Sequence, residues 1–272
     1  MSYKLVAIDM DGTLLNSKGT VSDRTRQAIY DAGKRGVYVV LATGRILKSA
    51  INHSLELNLN RPIISSNGAV IVDENQNIIY EIPMKMDAVE KVVKLGQSEN
   101  IYFHFYNEDS FYANTYIEEV LNFYNTEESK KNGREIKVNI FKDSNEITGN
   151  GINVYKFLFI DDDRNKLDSL KEKLIGVDNI SVCSSWSNNL EVMDNRVSKG
   201  NGLKYLCNKL NISSENVIAI GDNENDISML QYAGLGVAMG NGVEKAKSVA
   251  DLIAESNDED GVAKIIEKYI LK

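Results

Sequence analysis

The chain has 272 residues, 43% of them hydrophobic and 26% charged, which allows a sizeable core and two domains and excludes wholesale disorder. Its net charge of −8, from 31 basic and 39 acidic residues, argues against non-specific nucleic-acid binding, which needs a basic face. No apolar run reaches the roughly 20 residues of a membrane span, and Asp9 and Asp11 interrupt any signal-peptide core.

Tyr3 to Ile8 form a continuous apolar run that ends in acids, the pattern of a parallel strand buried on both faces. Gly12 follows as a turn signal. A helix is predicted from an N-cap at Ser22 to Gly36. A second apolar run, Val37 to Ala42, leads to Thr43-Gly44-Arg45 and a helix to about Leu57. Pro62 to Ser65 and Asn67-Gly68-Ala69 follow, then a hairpin that turns near Glu74 to Asn77. This strand–helix alternation predicts βαβ units and an α/β fold. It resumes with a helix from Gly200 to Leu210, a strand at Val217 to Ile220 and a helix from Glu224 to Tyr232. Short strands at 236–239 and 251–254 precede a last helix at 261–271.

The middle of the chain has a different rhythm. Ile101 to Tyr106 alternates, and Phe111 to Thr115 follows a polar turn. Helices are predicted at 84–99, 116–131 and 164–175, with strands at 153–160 and 180–185. A stretch this long is too large for a loop between βαβ units and predicts an inserted α+β domain. The boundaries fall at a discontinuous core of 1–82 and 189–272 and an insertion of 83–188. Cys183 and Cys207 lack metal spacing and read as reduced thiols, which points to the cytoplasm.

Four short segments carry chemistry. Asp9-Met10-Asp11-Gly12-Thr13-Leu14 closes the first strand, where open α/β sheets bind ligands. Residues two apart on an extended segment point the same way, so Asp9 and Asp11 can face one site. Such close carboxylates repel unless a cation or a proton intervenes, and hard oxygen ligands suit Mg²⁺. In Gly221-Asp222-Asn223-Glu224-Asn225-Asp226, Asp222 and Asp226 share a helix face if a helix starts there. Thr43-Gly44, with a hydroxyl and backbone N–H groups at a helix start, offers an anion site. Lys199, just before a helix, can meet an anion as a point charge. Each segment alone also fits an ordinary cap, turn or solvated surface. Together, in one chain order, they supply the metal, nucleophile and phosphate ligands of phosphoryl transfer.

The chain resembles the haloacid dehalogenase superfamily. DMDGTL matches its first motif, the Thr in LATGR its second, Lys199 in VSKG its third and GDNEND its fourth. The insertion between the second and third motifs resembles the Cof-type subgroup with its α/β cap, as do SSNGA at 65–69, AMGN at 238–241 and NDEDGVA at 257–263. Arg196, where Gly often stands, and Gly242, where Ala is usual, depart from that pattern.

The resemblance implies a Rossmann-like doubly wound parallel core with a cap that sets specificity. It implies a Mg²⁺-dependent phosphatase of small phosphorylated metabolites, most of all sugar phosphates, working through an aspartyl-phosphate. Asp9 is then the nucleophile and Asp11 the general acid and base. Metal ligands are Asp9, Asp11 through its backbone carbonyl, and Asp222, with Asp226 supporting them. Thr43, Gly44, Lys199 and Asn225 hold phosphate, while Arg45 and Asn67 are candidate substrate contacts. The second carboxylate at Asp11 argues against dehalogenase chemistry, which protonates no leaving-group oxygen. His104, Tyr106, Tyr112 and Arg134 in the cap read first as scaffold or surface, and Trp186 as packing. Phosphomutase, pyridoxal-phosphate or flavin-mononucleotide phosphatase, and a non-catalytic binding protein on the same fold are the alternatives. The expected partner is a small metabolite, with neither nucleic acid nor membrane, for a monomer or small homo-oligomer.

Overall fold

The computed structural model describes residues 2–59, 61–124, 130–142 and 145–272. Strand β1 (Leu5–Ile8) has all four residues buried. It pairs in parallel with β2 (Tyr38–Ala42) on one side and β12 (Val217–Gly221) on the other. Each such aliphatic side chain removed from water contributes about 1.5–3 kcal/mol, so a continuous apolar run suits only this central place. The eight-stranded sheet has the order β14-β13-β12-β1-β2-β3-β4-β5, with β13 (Leu235–Ala238) and β14 (Leu252–Ile253) at one edge. At the other edge β3 (Ile63–Ser65), β4 (Val70–Val72) and β5 (Ile78–Glu81) end the order. The strand order reverses beside β1, the switch point at which open α/β sheets bind ligands. The fold is α/β, with a Rossmann-like parallel core and a second, mixed sheet.

Connecting helices begin where the chain supplies caps. Helix α1 (Asp23–Lys34) starts with the Ser22 hydroxyl accepting from the Thr25 N–H, as predicted. Helix α2 (Leu47–Glu56) begins later than expected, four residues past Thr43.

The chain separates into two compact units, one of Met1–Gly44, His53–Ile79 and Ser198–Lys272, the other of Arg45–Asn52 and Tyr80–Val197. The second unit holds a six-stranded sheet of order β10-β11-β9-β6-β7-β8. Its strands are β6 (Tyr102–Tyr106), β7 (Ser110–Ala113), β8 (Lys137–Ile140), β9 (Lys156–Ile160), β10 (Ile180–Cys183) and β11 (Asn189–Asp194). Helices α3 (Met86–Ser98) and α6 (Arg164–Ile175) share a core with Phe103, Phe105, Phe157 and Phe159. Between them in sequence lie α4 (Glu118–Tyr124) and the single turn α5 (Asn145–Thr148).

Several expectations need correction. The chain from 189 does not rejoin the core at once, because β11 is fully buried between β9 and β10. The second unit therefore runs to Val197. Strand β8 and helix α5 were not expected; β8 is a mostly exposed edge strand with little apolar pattern. The helix predicted at 116–131 is described as α4, and 125–129 of that prediction lie outside the described residues. Trp186 is 48% exposed, at the surface of the second unit and not in its core. His104 and Tyr106 are fully buried, the imidazole stacked on Phe111 at 4.1 Å. Burial, with Lys156 nearby, holds His104 well below its usual pKa. Among the described residues, no helix is long and apolar enough to cross a membrane.

Candidate active site

The site lies in the first unit, where β1 and β12 end. After β12, Asp222 and Asp226 flank a short helical turn (Glu224–Asp226), capped by the Asn223 side chain on the Glu224 N–H. One Asp226 oxygen accepts the backbone N–H groups of both Asp222 and Asn223 at 2.9 Å. Its other oxygen accepts the Lys199 ammonium at 2.6 Å. Both oxygens of Asp226 are thus committed. A β-carbon at Gly221 would fall 2.5 Å from the Asp226 β-carbon, so only glycine admits this close return.

Lys199 opens helix α7 (Lys199–Leu210), whose N-cap hydroxyl on Ser198 accepts from the Asn201 N–H. The lysine is fully buried, and its Nζ also reaches Asp9 Oδ1 at 2.5 Å. Asp9 follows β1 and is 5% exposed. Thr13 donates its hydroxyl to Asp222 at 2.8 Å, closing the cluster from the β1 side. Between them Gly12 adopts φ +83°, and a β-carbon there would lie 2.5 Å from an Asp222 oxygen.

Electrostatics show an excess of acid. Burial raises the Asp9 pKa well above the carboxylate range despite Lys199, with Asp226, Asp222 and Asp11 adding to the rise. Burial and Asp226 push Asp222 up to about 6. Burial opposes the charge on Lys199, but Asp226 and Asp9 outweigh it and raise its pKa, so the ammonium stays charged. One buried cation cannot neutralise three acids.

The donor set fits a divalent cation. Asp9, Asp222 and Asp226 each bring an oxygen within 4.8 Å of the others. All are hard oxygens, as Mg²⁺ prefers. Asp226 already accepts Lys199 and two N–H groups, so Asp9 and Asp222 are the side chains with more acceptor capacity left.

The remaining candidates divide. Asp11 is half-buried on the same loop, and its charge reaches Asp9. Thr43 is buried, and its N–H donates to the Ile64 carbonyl at 2.8 Å. That leaves its hydroxyl and Gly44 as candidate anion groups. Thr43 also accepts from the Asn67 N–H at 3.0 Å, and Asn225 donates to the Asn67 side chain at 3.2 Å. Thus Thr43, Asn67 and Asn225 form one chain of contacts. Asn67 takes φ +58°, a left-handed conformation that asparagine tolerates. Arg45 falls in the second unit, buried, with its guanidinium on Ser49 at 3.4 Å. Arg134, half-buried in the same unit, accepts from Asn52 at its backbone carbonyl. The sequence reading missed Thr13, although it stands inside the quoted motif, because nothing local shows that its partner lies 209 residues away.

The profile of the haloacid dehalogenase-like hydrolases matches residues 6–266. The 5-amino-6-(5-phospho-D-ribitylamino)uracil phosphatase YcsE of Bacillus subtilis is 34% identical over 271 residues, covering 100% of this chain and 97% of that protein. The phosphatase YwpJ of the same organism is 32% identical, over 98% of this chain and all of its own. A solved haloacid dehalogenase-like hydrolase from B. subtilis superposes with a TM-score of 0.87 at 31% identity, covering 97% of this chain and 99% of that one. On this evidence the chain belongs to the haloacid dehalogenase-like hydrolases.

Proposed function

We propose that this chain is a Mg²⁺-dependent phosphatase of small phosphorylated metabolites, sugar phosphates first. The observation that carries this reading is the buried cluster of Asp9, Asp222 and Asp226 around Lys199. An oxygen nucleophile, a fixed cation and surplus carboxylates are what transfer of a phosphoryl dianion requires.

In this reading an Asp9 carboxylate oxygen attacks phosphorus and the ester oxygen leaves as an alcohol, taking its proton from Asp11. Water then attacks the aspartyl-phosphate and Asp11 accepts its proton. Phosphate departs and the Asp9 carboxylate is restored. Lys199, the Thr43 hydroxyl, Gly44 and Asn225 hold the phosphoryl oxygens and stabilise the charge that develops on them. Asp226 orients Lys199 and the Asp222–Asn223 backbone. Asp9, the Asp11 carbonyl and Asp222 would hold the metal, which when bound offsets the repulsion between carboxylate and phosphate. Asn67 is assigned to the substrate. The stretch Tyr80–Val197 of the second unit is assigned to substrate discrimination, as a specificity domain.

A second reading of the substrate has a specific observation behind it. Three B. subtilis relatives, 34%, 31% and 28% identical to this chain, are named for 5-amino-6-(5-phospho-D-ribitylamino)uracil. That compound carries its phosphate on a ribityl chain, so ribityl phosphates belong beside sugar phosphates in any screen.

The test is Asp9→Asn. It should fold as the wild type and lose about 10⁴-fold or more of p-nitrophenyl phosphate turnover. Turnover equal to the wild type in a folded Asp9→Asn protein would overturn the assignment.

A further inference from the structure

Two asparagines outside the cluster tie together the loops that carry it. Asn241 donates from Nδ2 to the Gly12 carbonyl at 2.8 Å. Its side-chain oxygen accepts the Asn257 N–H at 3.0 Å, and Asn257 donates from its own Nδ2 to the Leu15 carbonyl at 2.8 Å. The segment that carries Asn241 also grips the other loop. The Val243 N–H donates to the Asp222 carbonyl at 2.8 Å, and the Met239 N–H to the Gly221 carbonyl at 2.9 Å.

We propose that Asn241 and Asn257 are positioning residues that set the spacing between the Asp9–Thr13 loop and Asp222. The inference rests on the phosphatase reading above for its kinetic arm. The physical need is local. Gly12, at φ +83°, is the residue of the loop with the most backbone freedom, and no side chain of its own restrains it. The direction of its carbonyl sets where Thr13 begins, and Thr13 donates to Asp222. An amide outside the loop that holds this carbonyl therefore fixes Thr13, and through Thr13 the Asp222 carboxylate. Asn257 repeats the device three residues on, at Leu15. Asparagine suits both places because one side chain must donate to a carbonyl, and at 241 also accept an N–H. A residue that merely stabilises the fold would not matter to the cation. One that sets the distance between acid-bearing loops should, since residues that orient metal ligands typically cost 10–100-fold in affinity or activity when removed.

The experiment uses the full chain with Asn241→Ala and Asn257→Ala. The rise in Tm on adding Mg²⁺ without substrate is one readout. The Mg²⁺ half-saturation of p-nitrophenyl phosphate hydrolysis, with kcat and KM resolved, is the other. Asn241→Ala should raise the half-saturation roughly tenfold, lower kcat and shrink the Mg²⁺-induced Tm rise, with substrate KM held within about twofold. Asn257→Ala should move the same quantities less, and it serves in place of Asn241→Ala if that variant does not fold. Metal-free Tm falling in both while half-saturation and the Mg²⁺-induced rise stay at wild-type values would overturn the inference. A wild-type chain that Mg²⁺ stabilises but that hydrolyses no phosphate ester would fail the phosphatase reading instead, and the thermal arm would still decide the inference. A wild type neither stabilised nor active would overturn both.

Discussion

Among the described residues each unit of the molecule buries one lysine on carboxylate, and the two arrangements differ in their balance. In the second unit Lys156 meets Glu191 at 2.9 Å, with side chains 3% and 4% exposed. Ser185 donates to the same Glu191 oxygen at 2.8 Å, and the Lys156 ammonium lies 5.6 Å from the Tyr106 ring centre. One cation faces one anion, and further contacts complete both. In the first unit Lys199 touches two acids, Asp9 and Asp226, with Asp222 beside them, and Asp9 and Asp222 carry raised pKa values. A balanced buried pair is a structural element whose removal as a unit is often tolerated. An unbalanced one keeps a charge that a proton or a bound cation must meet, and so marks a candidate site.

The largest effect expected is that of Lys199→Met. It leaves three carboxylates without their cation, and should abolish turnover and cost about 3–5 kcal/mol of metal-free stability, read by urea unfolding in EDTA. Wild-type stability in that variant would erase the contrast. Lys156→Met should cost a similar 3–5 kcal/mol by stranding Glu191, but Lys156→Met with Glu191→Leu should recover most of it. No such recovery is expected when Lys199→Met is paired with Asp226→Leu, because Asp9 and Asp222 remain.

Next in size is a pH effect. Asp222 is raised from the usual 3.8 to about 6, so the folded state holds its proton more tightly than the unfolded chain. Its contribution is therefore full below about pH 4 and is lost as pH rises through about 6. The two-unit shift corresponds to about 3 kcal/mol in the metal-free protein. Denaturation between pH 4 and 7 in EDTA should show this fall in the wild type and a smaller one in Asp222→Asn, where Asp9 keeps a raised pKa. Mg²⁺ should stabilise the wild type more at pH 7 than at pH 5. The smallest effect is Ser185→Ala, expected to cost about 1 kcal/mol by removing one hydrogen bond to an ion that keeps its lysine.

Much of the first unit was legible locally. The β1 run, the Ser22 cap and the ends of α7 all rest on signals within a few residues of where they act. The second unit was less legible. Strand β11, Asn-Leu-Glu-Val-Met-Asp, mixes polar and apolar residues, yet all six are buried. Its Glu191 is tolerable in the interior only because Lys156 stands one strand away, and that neighbour follows from sheet pairing.

The sequence by itself determined the parallel α/β core and placed Asp9, Asp11, Thr43, Lys199 and Asp222 at or just past element ends, because hydrophobic periodicity and turn residues act over short spans. Tertiary structure alone decided who meets whom. Asp226 became an anchor for Lys199 and a backbone turn, Thr13 became the partner of Asp222, and Asn241 and Asn257 became ties on the Gly12 loop. The ties on that loop and on Asp222 join residues more than 200 positions apart in the chain. Hydrogen bonds and ion pairs act over about 3 Å, so only the fold, by bringing strand ends together, could choose the partners.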